Sequence, residues 1–145
     1  MPSAQLRHVG IVVQDLSVNK SFWLDGMGFE QVSDMLESGE HIDAIMDAKN
    51  VIVQTVKLRD KRGLIIELLK FVAPKPKRSM LASPFRTGIT HVAITVDDLN
   101  YYYEHLTNFG GKFHCSPQYS PDASVKFIYC RGPENIIIEL VQMLK

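Results

Sequence analysis

The 145-residue chain carries little cysteine, no excess of either charge and no long apolar run. Its two cysteines, Cys115 and Cys130, show none of the close Cys-x-x-Cys or Cys/His spacing of a zinc ribbon or dithiol redox motif. Both are expected to be reduced and inert. Sixteen basic residues cancel sixteen acidic ones, so no global field favours nucleic acid or an anionic membrane as partner. No apolar stretch approaches the roughly 18 residues needed to span a bilayer, and the opening MPSAQLRH lacks the apolar core of a secretory signal. The expectation is a cytoplasmic protein that meets neither membrane nor nucleic acid. What is present is apolar surface: 46% of residues are hydrophobic, enough for a folded core.

The chain also repeats itself. Leu6 to Glu30 returns as Ile89 to Phe113, and an offset of 83 pairs His8 with His91, Val9 with Val92, Ile11 with Ile94, Val13 with Val96, Asp15 with Asp98 and Gly28 with Gly111. The segment GLIIELLKF matches NIIIELVQM at an offset of 72, which aligns Glu67 with Glu139. Each half predicts a strand, a helix and then several strands. Leu6 to Val13 and Ile89 to Val96 alternate as half-buried strands. Asp15 and Asp98 are N-cap candidates, because their carboxylates can accept from first-turn amides. Leu99, Tyr102, Tyr103 and Leu106 form one apolar helical face. Further strands are expected near Phe29 to Met35, Asn50 to Leu58 and Leu64 to Phe71, with counterparts near Lys112 to Tyr119, Val125 to Cys130 and Ile136 to Met143. The modules span 1–72 and 89–145. Residues 73–88, with three prolines and a basic run that includes Lys75, Lys77 and Arg78, read as a solvated linker.

The repeated His and Glu are the residues with chemistry. Strand side chains alternate between faces, so His8 and His91 project opposite the rows Val9, Ile11, Val13 and Val92, Ile94, Val96. Glu67 and Glu139 each interrupt an Ile/Leu-rich strand, a poor place for a solvated carboxylate. Burying a carboxylate costs several kcal/mol, on the order that demands a cation or a hydrogen-bond network. One such His is usually a satisfied surface or core residue, and one such Glu usually faces solvent at an edge. Two pairs in repeat register point instead to one divalent ion, whose charge two carboxylates and two neutral imidazoles would balance. The implied metal ligands are His8, Glu67, His91 and Glu139.

The motifs HVGIVV, IIELL, HVAITV and IIIEL resemble the vicinal oxygen chelate superfamily, which includes glyoxalase I and methylmalonyl-CoA epimerase, across about Leu6 to Met143. The resemblance implies an α+β fold of two tandem βαβββ modules, curling as a mixed sheet into a metal-binding cup. Its ligand positions fall on the same four residues. The His-Glu-His-Glu set resembles glyoxalase I, whereas the long linker leading into GITHVA looks more epimerase-like.

A two-His, two-Glu set suits one divalent Zn, Ni, Co, Mn or Fe ion. The ion would act as a Lewis acid on a chelated substrate carbonyl, lowering the barrier to removal of the adjacent proton. Glu139, with Glu67 as its pseudo-symmetric partner, is the candidate general base. The expected function is a divalent-metal-dependent lyase or isomerase, glyoxalase I-like or epimerase-like, acting on a small molecule and assembled as a homodimer. Two alternatives are an extradiol-type dioxygenase, disfavoured by the fourth ligand Glu67, and a non-catalytic small-molecule-binding protein of the same fold. Phe22, Trp23, Tyr102 and Tyr103 are expected in core or module-interface packing rather than in a pocket. His41, His105 and His114 are expected at the surface.

Overall fold

The computed structural model describes residues 1–77 and 82–145. The chain divides into two compact units. One comprises Met1–Leu24 and Gly28–Lys77; the other comprises Asp25–Met27 and the chain from residue 78 to Lys145. Within the segment read as a linker, residues 78–81 lie outside the described residues, and Arg78 is among them.

In the first unit the chain runs β1 (His8–Val12), α1 (Leu16–Ser21), a π-helical turn (Phe22–Gly26), β2 (Glu30–Ser38), α2 (Glu40–Met46), β3 (Ile52–Arg59) and β4 (Ile65–Ala73). The strands form a sheet of order β1-β4-β3-β2, parallel between β1 and β4 and antiparallel elsewhere. α1 starts where Asp15 accepts from the Val18 amide at 3.0 Å. Phe22 and Trp23 are buried, and the Trp23 ring meets Phe22 and Phe29 edge-on at 5.5 and 5.2 Å. They share the core with Val56, Leu58, Ile66 and Leu68, each contributing roughly 1.5–3 kcal/mol by leaving water.

The second unit repeats the plan with β5 (Val92–Thr95), α3 (Leu99–His105) continued by a 3-10 turn (Leu106–Phe109), β6 (Lys112–Phe113), β7 (Gln118–Tyr119), β8 (Val125–Arg131) and β9 (Ile137–Met143). Its sheet has the order β5-β9-β8-β6, with β7 also paired to β8. Asp98 caps α3 as Asp15 caps α1, accepting from the Tyr101 amide at 3.1 Å. Leu99 and Leu106 are fully buried, while Tyr102 and Tyr103 are half-buried. The α+β class is as expected, and the mixed sheet is built as two, one per unit.

Two local features differ from the expected strands. α2 stands where no element is expected: Glu40–Met46 is about two turns long and buries none of its residues, so Ile42, Ile45 and Met46 give too short an apolar stripe to read as a helix. It is tied down by Asp43, which accepts from the amides of Asn50 and Val51 at 2.9 and 2.8 Å. The strand expected over Lys112 to Tyr119 is broken into β6 and β7, both on β8, with Pro117 in the gap. Proline offers no amide to a sheet ladder. Among the described residues no helix is long and apolar enough to cross a membrane.

Candidate metal centre

Register brings each His to its Glu. In the first unit β1 lies parallel to β4 with Gly10 opposite Glu67, so His8, two residues before Gly10, shares Glu67's face. In the second unit Ala93 lies opposite Glu139, and His91 is again two residues earlier, just ahead of β5. The residue between the pair is thus glycine in one unit and alanine in the other. Neither fills the space where imidazole and carboxylate meet.

The resulting pairs are close. His8 Nε2 lies 3.8 Å from Glu67 Oε1, and His91 Nε2 lies 3.2 Å from Glu139 Oε2. Both carboxylates are largely withdrawn from solvent, with 14% and 24% of the side chain exposed for Glu67 and Glu139. A solvent-edge explanation for either Glu therefore fails. Among the described residues no group of three or more His, Cys, Asp and Glu side chains is gathered, so within each unit the cluster is one pair.

The donor chemistry fits a divalent ion. Two ligands bound at about 2.1 Å and separated by 90° to 109° stand roughly 3.0–3.4 Å apart. The His91–Glu139 separation falls in that range, and the His8–Glu67 separation is a few tenths longer. His91 Nδ1 is 2.9 Å from the Thr90 hydroxyl. A proton on Nδ1 donated to that oxygen leaves Nε2, the atom facing Glu139, with its lone pair for a metal.

The two pairs differ in one neighbour that the sequence reading did not single out. On β3, Lys57 stands opposite Glu67 and its Nζ is 3.7 Å from Glu67 Oε2. At the equivalent place on β8, Tyr129 stands opposite Glu139, and its ring is 5.0 Å from that of His91. The offset of 72 that aligns the glutamates also aligns Lys57 with Tyr129, so the signal was present in the repeat. Of the remaining histidines, His114 is exposed and accepts from Arg131 Nε at 3.1 Å, and His105 Nε2 is 3.2 Å from the Asp25 carbonyl. Lys75 and Lys77 are exposed, as a solvated segment requires.

Comparison with known proteins agrees with this architecture. The family model described as the Glyoxalase/Bleomycin resistance protein/Dioxygenase superfamily matches residues 5–140. The protein YaeR of Escherichia coli (strain K12) is 25% identical over 138 residues, which cover 95% of each chain. A glyoxalase family protein of Bacillus cereus superposes with a TM-score of 0.90 at 25% identity, covering 100% of this chain and 97% of that one. The fosfomycin resistance protein FosX of Mesorhizobium loti shares the fold, with a TM-score of 0.64 at 15% identity over 96% of this chain and 91% of its own. Members of the superfamily typically bind a divalent metal. With its family model matched over most of its length and its fold shared throughout, the chain belongs to the glyoxalase/bleomycin resistance protein/dioxygenase superfamily, the vicinal oxygen chelate fold.

Proposed function

We propose that His8, Glu67, His91 and Glu139 together hold one divalent cation, and that the protein is a metal-dependent lyase or isomerase of the glyoxalase or epimerase type. The observation that carries this reading is the repeated register, in which each unit sets a His and a withdrawn Glu on one sheet face two residues out of step. Such a cation, when bound, supplies Lewis acidity toward a substrate carbonyl.

The chain's own residues divide the remaining work. Thr90 fixes the His91 ring so that Nε2 faces the site. Glu67 has the Lys57 ammonium 3.7 Å away as well as His8, whereas among the described residues His91 is the one ion-pair partner of Glu139. Glu139 is therefore the carboxylate available to accept a proton from carbon next to the substrate carbonyl. The β2 and α2 surface leaves Met35, Leu36 and Ile45 exposed at 54%, 69% and 79%. Met35 and Leu36 project from opposite faces of β2, the edge strand of its sheet, and such exposed apolar side chains at an open edge support the homodimer reading, for which a molar mass twice that of the chain is the expected measurement.

Calorimetric titration of metal-free protein with Ni²⁺, Zn²⁺, Co²⁺, Mn²⁺ and Fe²⁺ tests the site. Binding of one equivalent, lost in both His8→Ala and His91→Ala, is expected. Assays of the loaded protein on a 2-oxoaldehyde hemithioacetal and on a 2-methyl-branched acyl thioester in D2O then test the reaction. Deuterium incorporation that disappears in Glu139→Gln is expected, and oxygen uptake with a catechol instead would overturn the assignment.

A further inference from the structure

The first unit contains a cleft of about 510 Å³ between the start of β2 and the β3–β4 hairpin, lined by Glu30 and by Arg59 through Gly63. Its three cations are Arg59, Lys61 and Arg62. Arg59 is offset by Glu30, 3.3 Å away. Asp60 is engaged by the turn itself: its Oδ1 accepts from the amides of Arg62 and Leu64, both at 2.8 Å. The side chains of Lys61 and Arg62 are exposed and form no ion pair among the described residues. The cleft keeps a net positive charge in a chain whose total charge is zero.

The internal repeat shows that the hairpin does not need these cations. In the second unit Gly132 through Ile136 closes the same turn in the same register, Arg131 opposite Ile137 as Arg59 is opposite Ile65. Its backbone bonds match as well. Gly132 N to Ile136 O at 2.9 Å corresponds to Asp60 N to Leu64 O at 3.0 Å, and Asn135 N to Gly132 O corresponds to Gly63 N to Asp60 O, both at 3.1 Å. That turn contains Glu134 and neither Lys nor Arg. Arg131 is itself held by the Ala82 carbonyl at 2.8 Å and by His114, whereas among the described residues the side-chain partner of its counterpart Arg59 is Glu30 across the sheet edge. The basic character is thus an addition to the first unit that its fold does not require.

Position connects the cleft to the candidate metal centre. Arg59 and Lys57 lie two residues apart on one face of β3, about 7 Å along the strand, and Lys57 contacts Glu67. We propose that the hairpin cleft is an anion subsite, formed by Lys61 and Arg62 with Arg59, that takes the phosphate or carboxylate terminus of the substrate. Arg supplies paired donors suited to either oxyanion, and Lys a mobile point charge. That the anion belongs to the substrate rests on the proposed function; that the cleft binds an anion does not.

The test is an amide NMR titration of the full chain in chelator, with inorganic phosphate in one series and acetate in another, each held at constant ionic strength with sodium chloride. Saturable shifts of the Lys61, Arg62, Gly63 and Gly28 amides are expected with at least one of the two, and the probe that saturates identifies the anion. The double variant Lys61→Gln/Arg62→Gln, altered only at exposed turn positions, should weaken that binding by about tenfold or more while leaving the dispersed spectrum and the metal affinity unchanged. Linear shifts with both probes, or equal affinity in the double variant, would overturn the subsite. Because the titration is metal-free, a failed metal titration does not decide it.

Discussion

At the scale of single residues, Thr90 decides how much of His91 is available. Its hydroxyl is the one side-chain partner of Nδ1 among the described residues, and as an acceptor from Nδ1–H it would leave the Nε2 lone pair free beside Glu139 for a metal. Thr90→Val keeps the shape and removes the acceptor. Groups that orient a metal-bound His typically account for about 10- to 100-fold in affinity. Thr90→Val should weaken metal binding within that range in calorimetry, and Thr90→Ser should restore it; an unchanged constant in Thr90→Val would make the hydroxyl a bystander. The cysteines separate just as clearly. Burial pushes the Cys130 thiol up to about 12, in keeping with an inert residue, whereas Cys115 is exposed and so departs from the expectation of two inert thiols. Since the thiolate is the reactive form, one thiol should react promptly with a disulfide reagent at neutral pH and a second only after denaturation. Loss of the prompt phase in Cys115→Ser checks the assignment.

Elements show what could be read in the sequence and what could not. The paired caps Asp15 and Asp98, the His strands and the Glu strands were legible because each rests on local chemistry or on period-two burial that recurs at a fixed offset. α2 was not, because in a helix of about two turns that buries nothing the spacing of Ile42, Ile45 and Met46 is too brief to stand out. Lys57 differs: the repeat offset aligns it with Tyr129, but its contact with Glu67 comes from the cross-strand register, which the pairing of β3 with β4 reveals. The repeat also conceals a difference. Gly28 and Gly111 align in sequence, yet Gly28 is in the left-handed region at φ +77°, whereas Gly111 sits where an added Cβ would lie 2.8 Å from the Leu106 carbonyl oxygen and 3.1 Å from Cys130 Sγ. One is glycine for its backbone angle and the other for lack of room. Gly111→Ala should therefore destabilise by about 1–3 kcal/mol, as overpacking of a closed site does. Chemical denaturation should show a lower midpoint at unchanged slope, and a midpoint equal to the parent's would mean that the Leu106 turn yields freely.

For the whole molecule, the question is whether the two His/Glu pairs act as one ligand set. Two independent two-ligand sites would each bind weakly, and removing one would leave the other's affinity untouched. One shared ion behaves differently, since residues that serve a single site are not additive. His8→Ala, His91→Ala and the double variant should then lose metal affinity to nearly the same extent, because each single substitution already spoils the only site. The same logic governs stability. A cation held by the native state at 100 times its dissociation constant stabilises the fold by about 2.7 kcal/mol. The parent should melt higher with metal than with chelator, and either His variant should melt at one temperature in both. Two half-sized metal-dependent shifts, one surviving in each single variant, would instead mean that the repeat built two separate sites, and the reaction assigned to Glu139 would then have to proceed with His91 alone beside it.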